Sequence, residues 1–360
     1  MLKKLLTGIL AGTLSFGSFC SFGNLEVQAA TRAEISNIQV KKSGNFQYWN
    51  KDSETLAELK NYVKDVTNKK SKNFIPVEDR IAVFDMDGTF LCETAPYYFE
   101  WMLYLERALY DENFIPSQAD REYAQNIENS IRKTKKFPKN VDVDEAKSQE
   151  SVFKGMTPAN YEKYVQNFMQ KPVEGLTNLK WGEAFYLPMV EVIKYLQAND
   201  FTVYIVSGSD RPTVRILACD LLKIAPNNVI GSDPKIISAY QDENDGGNYV
   251  YKKNDYLVRG NLIEKNLKMN KVSVIAQEIG KQPVLGFGNS SGDTSMLNYT
   301  VYGNKYKSAA FFVICDDLTR EFGNTSKAES CLKLAQENGW LAISMKDDWK
   351  TIYGDNVKKG

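Results

Sequence analysis

The sequence predicts an α/β protein: a doubly wound parallel sheet interrupted, after its first strand, by a helical insertion. Three observations carry that expectation. Short apolar runs, Ile81–Phe84, Phe201–Val206, Pro283–Phe287 and Ala309–Ile314, read as buried strands that end in polar or glycine-bearing loops. Helical patterns alternate with the later strands, the rhythm of parallel βαβ units. Residues 95–186 carry aromatic clusters without strand alternation and read as largely helical.

At 360 residues the chain has room for roughly two domains and an ample core. Lys3 and Lys4 precede a mildly apolar run from Leu5 to Phe22, followed by Val27-Gln28-Ala29-Ala30. That is the pattern of a cleaved export signal over residues 1–29, cut after Ala29 or Ala30. Gly, Ser and Thr within the run, and no stop-transfer pattern after it, argue against a retained span. Phe19 ahead of Cys20 argues against lipoprotein-type cleavage.

Residues 30–78 form an N-terminal helical lead. Ser53 is placed to cap a helix from about Glu54 to Val66, with Leu56, Leu59, Tyr62, Val63 and Val66 on one face. A lysine-rich linker at 69–72 follows. Residues 79–94 are read as the first part of the core, 95–186 as a helical cap, 187–345 as the second part and 346–360 as a C-terminal tail. Within the second part, helices are expected over Leu187–Ala198, Pro212–Leu222 and Lys271–Ile279, and a hairpin over Lys235–Tyr251 about Asp245-Gly246-Gly247-Asn248.

Apolar content of 43% and charged content of 25% are those of an ordinary globular protein. Loss of residues 1–29 would leave 43 basic and 44 acidic residues, a net charge of −1. No basic block stands out, so neither nucleic acid nor, after signal cleavage, a membrane is expected as partner. Four cysteines would remain, Cys92, Cys219, Cys315 and Cys331, with three possible pairings. Cys315 with Cys331 is the local candidate, and Cys92 reads equally well as a free buried thiol.

The chain contains no histidine. This excludes phosphohistidine phosphatases, Ser-His-Asp hydrolases and the usual histidine-ligated zinc enzymes. A hydrolase built from these residues must use carboxylates, lysine, hydroxyls and an oxygen-ligated metal.

The chemistry-bearing residues stand where strands end, where ligands gather in open α/β sheets. Asp85-Met86-Asp87-Gly88-Thr89 follows the first strand. Two carboxylates two residues apart can hold a divalent cation and still divide two tasks, nucleophilic attack and proton transfer. Ser207-Gly208-Ser209 follows the next core strand, where the Ser207 hydroxyl and close backbone approach at Gly208 suit a phosphoryl oxygen. A turn and helix cap explain that tripeptide as well, since Asp210 and Pro212 look like a helix start. Lys271 opens a predicted helix, an unfavourable place for a cation unless it has other work, and Lys265 and Lys268 are neighbouring alternatives. The last motif, Gly286-Phe287-Gly288-Asn289-Ser290-Ser291-Gly292-Asp293, offers Asn289 and Asp293 as oxygen ligands.

Taken in order, these residues resemble the four motifs of the haloacid dehalogenase-like (HAD) superfamily over roughly residues 80–315. The resemblance implies a Rossmann-like core, and the insertion after the first motif is similar to the C1 cap of phosphoserine phosphatase-like members. The lead-in Asp79-Arg80-Ile81-Ala82-Val83-Phe84-Asp85 and the signal peptide also resemble exported phosphorylcholine phosphatase-like proteins. It implies that Asp85 is a nucleophile forming an aspartyl-phosphate, and that Asp87 protonates the leaving oxygen and then activates water. It further implies that Ser207 and Lys271 bind phosphoryl oxygens. Mg²⁺ would be held by Asp85, the Asp87 backbone carbonyl and the loop carrying Asn289 and Asp293. Asn289 departs from the aspartate many members carry: its carbonyl oxygen can coordinate but brings no charge. Dehalogenases of the superfamily lack an acid two residues after the nucleophile, so Asp87 points to phosphate ester hydrolysis.

Substrate features are fewer. Glu93 lies near where phosphoserine phosphatase-like enzymes present a glutamate to the substrate ammonium, one residue short of that register. Tyr97, Tyr98, Phe99, Trp101 and Tyr104 read either as an aromatic wall for a quaternary ammonium or as helix core. Arg211 reads as a contact for a second anionic group or as a surface residue at a helix start. The function expected is an exported Mg²⁺-dependent phosphomonoesterase acting on a small phosphorylated molecule, phosphocholine-like or phosphoserine-like. The alternative is an extracellular binding protein of the same fold with weak or no turnover.

Overall fold

The computed structural model describes residues 29–95, 97–134 and 141–360. The signal peptide expected over 1–29 lies outside the described residues except for Ala29. Helices α1 (Arg32–Ser36) and α2 (Glu54–Thr67) lead into β1 (Ile81–Phe84). Next come α3 (Phe99–Leu105), α4 (Gln118–Asn129), α5 (Val141–Phe153) and α6 (Pro158–Phe168), then α7 (Leu187–Ala198) and β2 (Thr202–Asp210). The chain continues through α8 (Arg211–Leu222), β3 (Val229–Ser238), β4 (Leu257–Glu264), α9 (Met269–Val274) and β5 (Leu285–Gly288). It ends with α10 (Thr294–Val301), β6 (Ala309–Ile314), α11 (Thr325–Asn338) and β7 (Leu341–Ser344).

These strands form a seven-stranded sheet in the order β4-β3-β2-β1-β5-β6-β7. It is parallel except for β4, which runs antiparallel to β3. The chain lays strands to one side of β1 and then, from β5 onward, to the other, so the switch point lies at the carboxyl ends of β1 and β5.

The burial of β1 on both faces explains its continuous apolar run. Ala82 and Phe84 pack into a core shared with Val63 of α2 and Val190 of α7, whereas Ile81 and Val83 face Met296 of α10 and Ala335 of α11. Register stacks Phe84, Phe287 and Phe311 across three strands, with ring centroids 4.1 and 5.0 Å apart. Each such contact contributes about 0.5–1.5 kcal/mol beyond area burial. The ladder fixes the last residue of β1 just before Asp85. Asp85 N also donates to Phe287 O at 2.9 Å.

Several elements match the sequence expectation closely, and others correct it. Ser53 caps α2, its hydroxyl accepting from Leu56 N at 3.1 Å. The hairpin expected over Lys235–Tyr251 does not form about Asp245-Gly246-Gly247-Asn248. Instead Ile236–Ser238 pairs with Leu257–Arg259, and residues 239–256 are a turn-rich excursion. The glycine pair marks a turn inside that excursion, whose base is tied by Asp255 accepting from Ser238, Tyr249 and Lys252. The expected tail is packed: Trp349 meets Trp49 with centroids 6.4 Å apart, and Ile352 and Tyr353 are buried. Cys92, Cys219, Cys315 and Cys331 are all buried free thiols, so the Cys315–Cys331 bridge is absent. Among the described residues no helix is long and apolar enough to cross a membrane.

Glu191 of α7 fastens the N-terminal lead: buried, it accepts from Gln47 N at 2.7 Å and Tyr48 N at 3.0 Å. Burial pushes its carboxyl up to about 7, and the two backbone donors oppose only part of that rise. The fold therefore binds this proton more tightly than the unfolded chain, and Glu191 favours folding most below its ordinary pKa. That advantage is lost as pH rises through about 7. Thermal melts should show the wild type losing Tm between about pH 5 and about pH 8, and Glu191→Gln losing distinctly less. Superimposable pH profiles would contradict the assignment.

Candidate active site

The ends of β1, β2 and β5 converge on a cleft of about 430 Å³ lined by Asp85, Asp87, Glu93, Asp293, Lys271 and Lys327, among others. Lys271 is its centre. Its ammonium, 1% exposed, donates to Asp85 Oδ1 at 2.6 Å, Asp293 Oδ1 at 2.7 Å and Val206 O at 2.8 Å. Burial pulls the Lys271 pKa down, but the two carboxylates more than offset it and keep the ammonium charged. Burial and the charge of Asp293 push the Asp85 carboxyl upward, against the opposing pull of Lys271.

Two glycines make the crowding possible. Gly88 has φ +77°, and a Cβ there would lie 2.0 Å from Asn289 Nδ2. A Cβ on Gly288 would lie 2.7 Å from Asp293 Cβ. Asp293 Oδ2 accepts from the backbone N–H groups of Asn289 and Ser290, both at 3.1 Å, so the fourth loop is folded around that carboxylate.

The structure brings Asp85, Asp87, Gly208, Lys271, Asp293, Glu93 and Tyr98 to this one cleft. Asn289 adjoins them beneath Gly88. Ser207 is fully buried, its Oγ accepting from Ser209 N at 3.0 Å, and does not line the cleft. Ser209 lines it instead and donates to Asp87 Oδ2 at 2.7 Å. Arg211 does not line the cleft and is clamped between Asp233 (2.7 Å) and Glu278 (2.6 Å). The aromatic cluster divides: Tyr97 and Tyr98 line the cleft, centroids 4.7 Å apart, whereas Phe99, Trp101 and Tyr104 are fully buried core. Glu93 is taken up within the protein, its Oε2 accepting from Lys327 Nζ at 2.6 Å and Asn289 Nδ2 at 2.9 Å.

Sequence reasoning did not find Lys327 or assign a role to Ser209. Ser209 stood two residues from the chosen hydroxyl, and the pairing of β2 with β3 shifts register between Val206 and Asp210, so strand alternation does not tell the two apart. Lys327 had no local signal, because it arrives from α11 beyond β6. Lys265 and Lys268, the alternatives to Lys271, also line the cleft, and Lys268 sits at φ +53°, a strained conformation for a side-chain-bearing residue.

Among the described residues no three His, Cys, Asp or Glu side chains form a ready metal cluster. The donor set nevertheless suits a hard cation. The Thr89 hydroxyl stands 3.3 Å from both Asp85 Oδ2 and Asn289 Oδ1, which places these two oxygens in the same neighbourhood. All-oxygen donors of this kind fit Mg²⁺, which keeps several waters and binds few protein groups.

The haloacid dehalogenase-like hydrolase family matches residues 82–298, and the chain belongs to that family. No relative is found among curated proteins. Among solved structures, a protein of unknown function from Bordetella pertussis Tohama I is 14% identical, the match covering 73% of this chain and 97% of that one at a TM-score of 0.46. A conserved protein of unknown function from Anaerococcus prevotii DSM 20548 is 15% identical, with coverages of 84% and 94% and a TM-score of 0.49. Cytosolic 5′-nucleotidase IIIB bound to cytidine is 10% identical, with coverages of 82% and 87% and a TM-score of 0.48. At these scores none bears on what this chain acts upon.

Lys271→Met should lower unfolding free energy by about 3–5 kcal/mol in urea titrations, since two buried carboxylates lose their counter-ion. A loss below about 1 kcal/mol, the scale of an exposed pair, would contradict the central place given to this ammonium.

Proposed function

We propose that this hydrolase is an exported phosphomonoesterase that cleaves small phosphate esters through an aspartyl-phosphate on Asp85, with Mg²⁺ as cofactor. The observation that carries the reading is Asp87, held by Ser209 in the same cleft as the lysine-bound Asp85. A carboxylate that can be both acid and base beside a nucleophilic carboxylate suits P–O cleavage in two steps.

In the first step an Asp85 oxygen attacks phosphorus, a P–Oδ bond forms and the ester P–O bond breaks. Asp87 gives its proton to the departing oxygen. In the second step Asp87 takes a proton from water, whose oxygen attacks phosphorus and releases Asp85 and phosphate. Lys271 neutralises charge on the phosphoryl oxygens and on Asp85, and Gly208 and Ser209 border the cleft. Asp85, the Asp87 carbonyl and the Asn289–Asp293 loop would hold the cation, which supplies further charge neutralisation when bound. Residues 95–186 act as the cap, contributing Tyr97 and Tyr98 to the cleft wall. That pair favours substrates with an apolar or quaternary ammonium group over a bare acyl phosphate.

Phosphate release from a panel of monoesters including phosphocholine and phosphoserine should require Mg²⁺, stop with EDTA and be abolished in Asp85→Asn. No release from any ester by folded, metal-supplied protein would favour the binding-protein alternative. Asp87→Asn should damage hydrolysis of an alkyl ester far more than that of a nitrophenyl ester, whose leaving group needs no proton. Equal losses on the two would contradict the acid role of Asp87.

A further inference from the structure

An asparagine amide has one end that can coordinate a cation and one that repels it, so Asn289 is a useful ligand only if held one way round. In this structure it is held. Its Nδ2 donates to Glu93 Oε2 at 2.9 Å, and its Oδ1 turns toward the Thr89 hydroxyl at 3.3 Å, the same hydroxyl that reaches Asp85. An ionised glutamate accepts hydrogen bonds and donates none, so Glu93 can pair with the NH₂ end but not the carbonyl end.

Glu93 is itself fixed from a distant part of the chain. Lys327 of α11 reaches the same Oε2 at 2.6 Å, which neutralises the carboxylate and sets its position. The backbone makes room for the arrangement, because a Cβ at Gly88 would lie 2.0 Å from Asn289 Nδ2 and 2.6 Å from Glu93 Oε2. Glu93, Lys327, Asn289 and Gly88 therefore form one unit beside the nucleophile.

We propose that Glu93 is a positioning residue: anchored by Lys327, it fixes the Asn289 amide so that the carbonyl oxygen faces the cation position beside Asp85. Orientation takes the place of the charge that an amide lacks. A carboxylate at position 289 would have no need of Glu93, since its two oxygens are equivalent, and would meet it as a like charge within hydrogen-bond distance. This inference rests on the Mg²⁺ reading above and replaces the idea that Glu93 faces a substrate ammonium.

The test is a double-mutant cycle on the purified protein without substrate, with Mg²⁺ alone as probe and calorimetric Kd as readout. Glu93→Ala should weaken Mg²⁺ binding roughly tenfold or more, the usual cost of losing a residue that orients a ligand. In an Asn289→Asp background the same change should weaken it less than about twofold or strengthen it, because nothing is left to orient and a like charge is removed. Glu93→Gln, which keeps the shape and can still accept, should fall between wild type and Glu93→Ala, and decides the matter should the alanine variant fail to fold.

Equal weakening in both backgrounds with a fall in Tm would assign Glu93 a merely structural role and overturn the proposal. So would an unchanged Mg²⁺ Kd with a raised KM for an ammonium-bearing ester, since that marks a substrate contact. A wild type that binds no Mg²⁺ would overturn the metal reading itself, an outcome distinct from Mg²⁺ binding that ignores Glu93.

Discussion

The buried ammonium of Lys271 is the constraint on which the rest of the site depends. Its bonds to Asp85, Asp293 and the Val206 carbonyl join the end of β1, the loop after β5 and the middle of β2. At hydrogen-bond distance each ion pair is worth several kcal/mol at an effective dielectric near 20, and desolvation of all three charges opposes that gain. The net stabilisation is modest, whereas the cost of removing one member is large. Two carboxylates cannot stay this close without the lysine, so nucleophile, cation and loop form a single electrostatic unit.

Around that unit the fold supplies room and rigidity. Gly88 and Gly288 let Asn289 and Asp293 approach closer than any side chain would allow. Behind the end of β2, the helical segment is bound to the core by buried polar groups. Glu100 accepts from Asp210 N at 2.7 Å, the Tyr161 hydroxyl lies 2.6 Å from Thr213 Oγ1, and Arg259 meets Asp210 at 2.9 Å while covering the Tyr161 ring. Tyr97 and Tyr98, just ahead of α3 in the chain, are thereby set against the strand ends. Half-satisfied networks of this kind are costly, so their full pairing argues for a fixed wall.

Much of this was legible in the sequence, and the physical reason is locality. Ile81–Phe84, Leu187–Ala198 and the Asp85-x-Asp87 loop declare themselves within a few residues, because burial on both faces and a strand end each leave a local pattern. Long-range placement left no such pattern. Arg211 pairs with Asp233 and Glu278, which lie far from it in sequence, and of the two serines, Ser207 and Ser209, it is Ser209 that meets Asp87. The Gly246-Gly247 turn was real, but which strands flank it depends on pairing across the sheet edge. Lys327 was invisible, since nothing in its neighbourhood announces that α11 begins over Glu93.

The central claim is that Asp85 carries the phosphoryl group, and the most direct measurement is to trap it there. An Asp87→Asn variant, turning over a nitrophenyl phosphate ester with Mg²⁺ and quenched in acid, would be digested and mapped by mass spectrometry. The account predicts an acyl-phosphate on the peptide containing Asp85, reducible by borohydride and missing when Asp85 is replaced by Asn. Turnover with no phosphorylated peptide, or with the phosphoryl group on another residue, would contradict it.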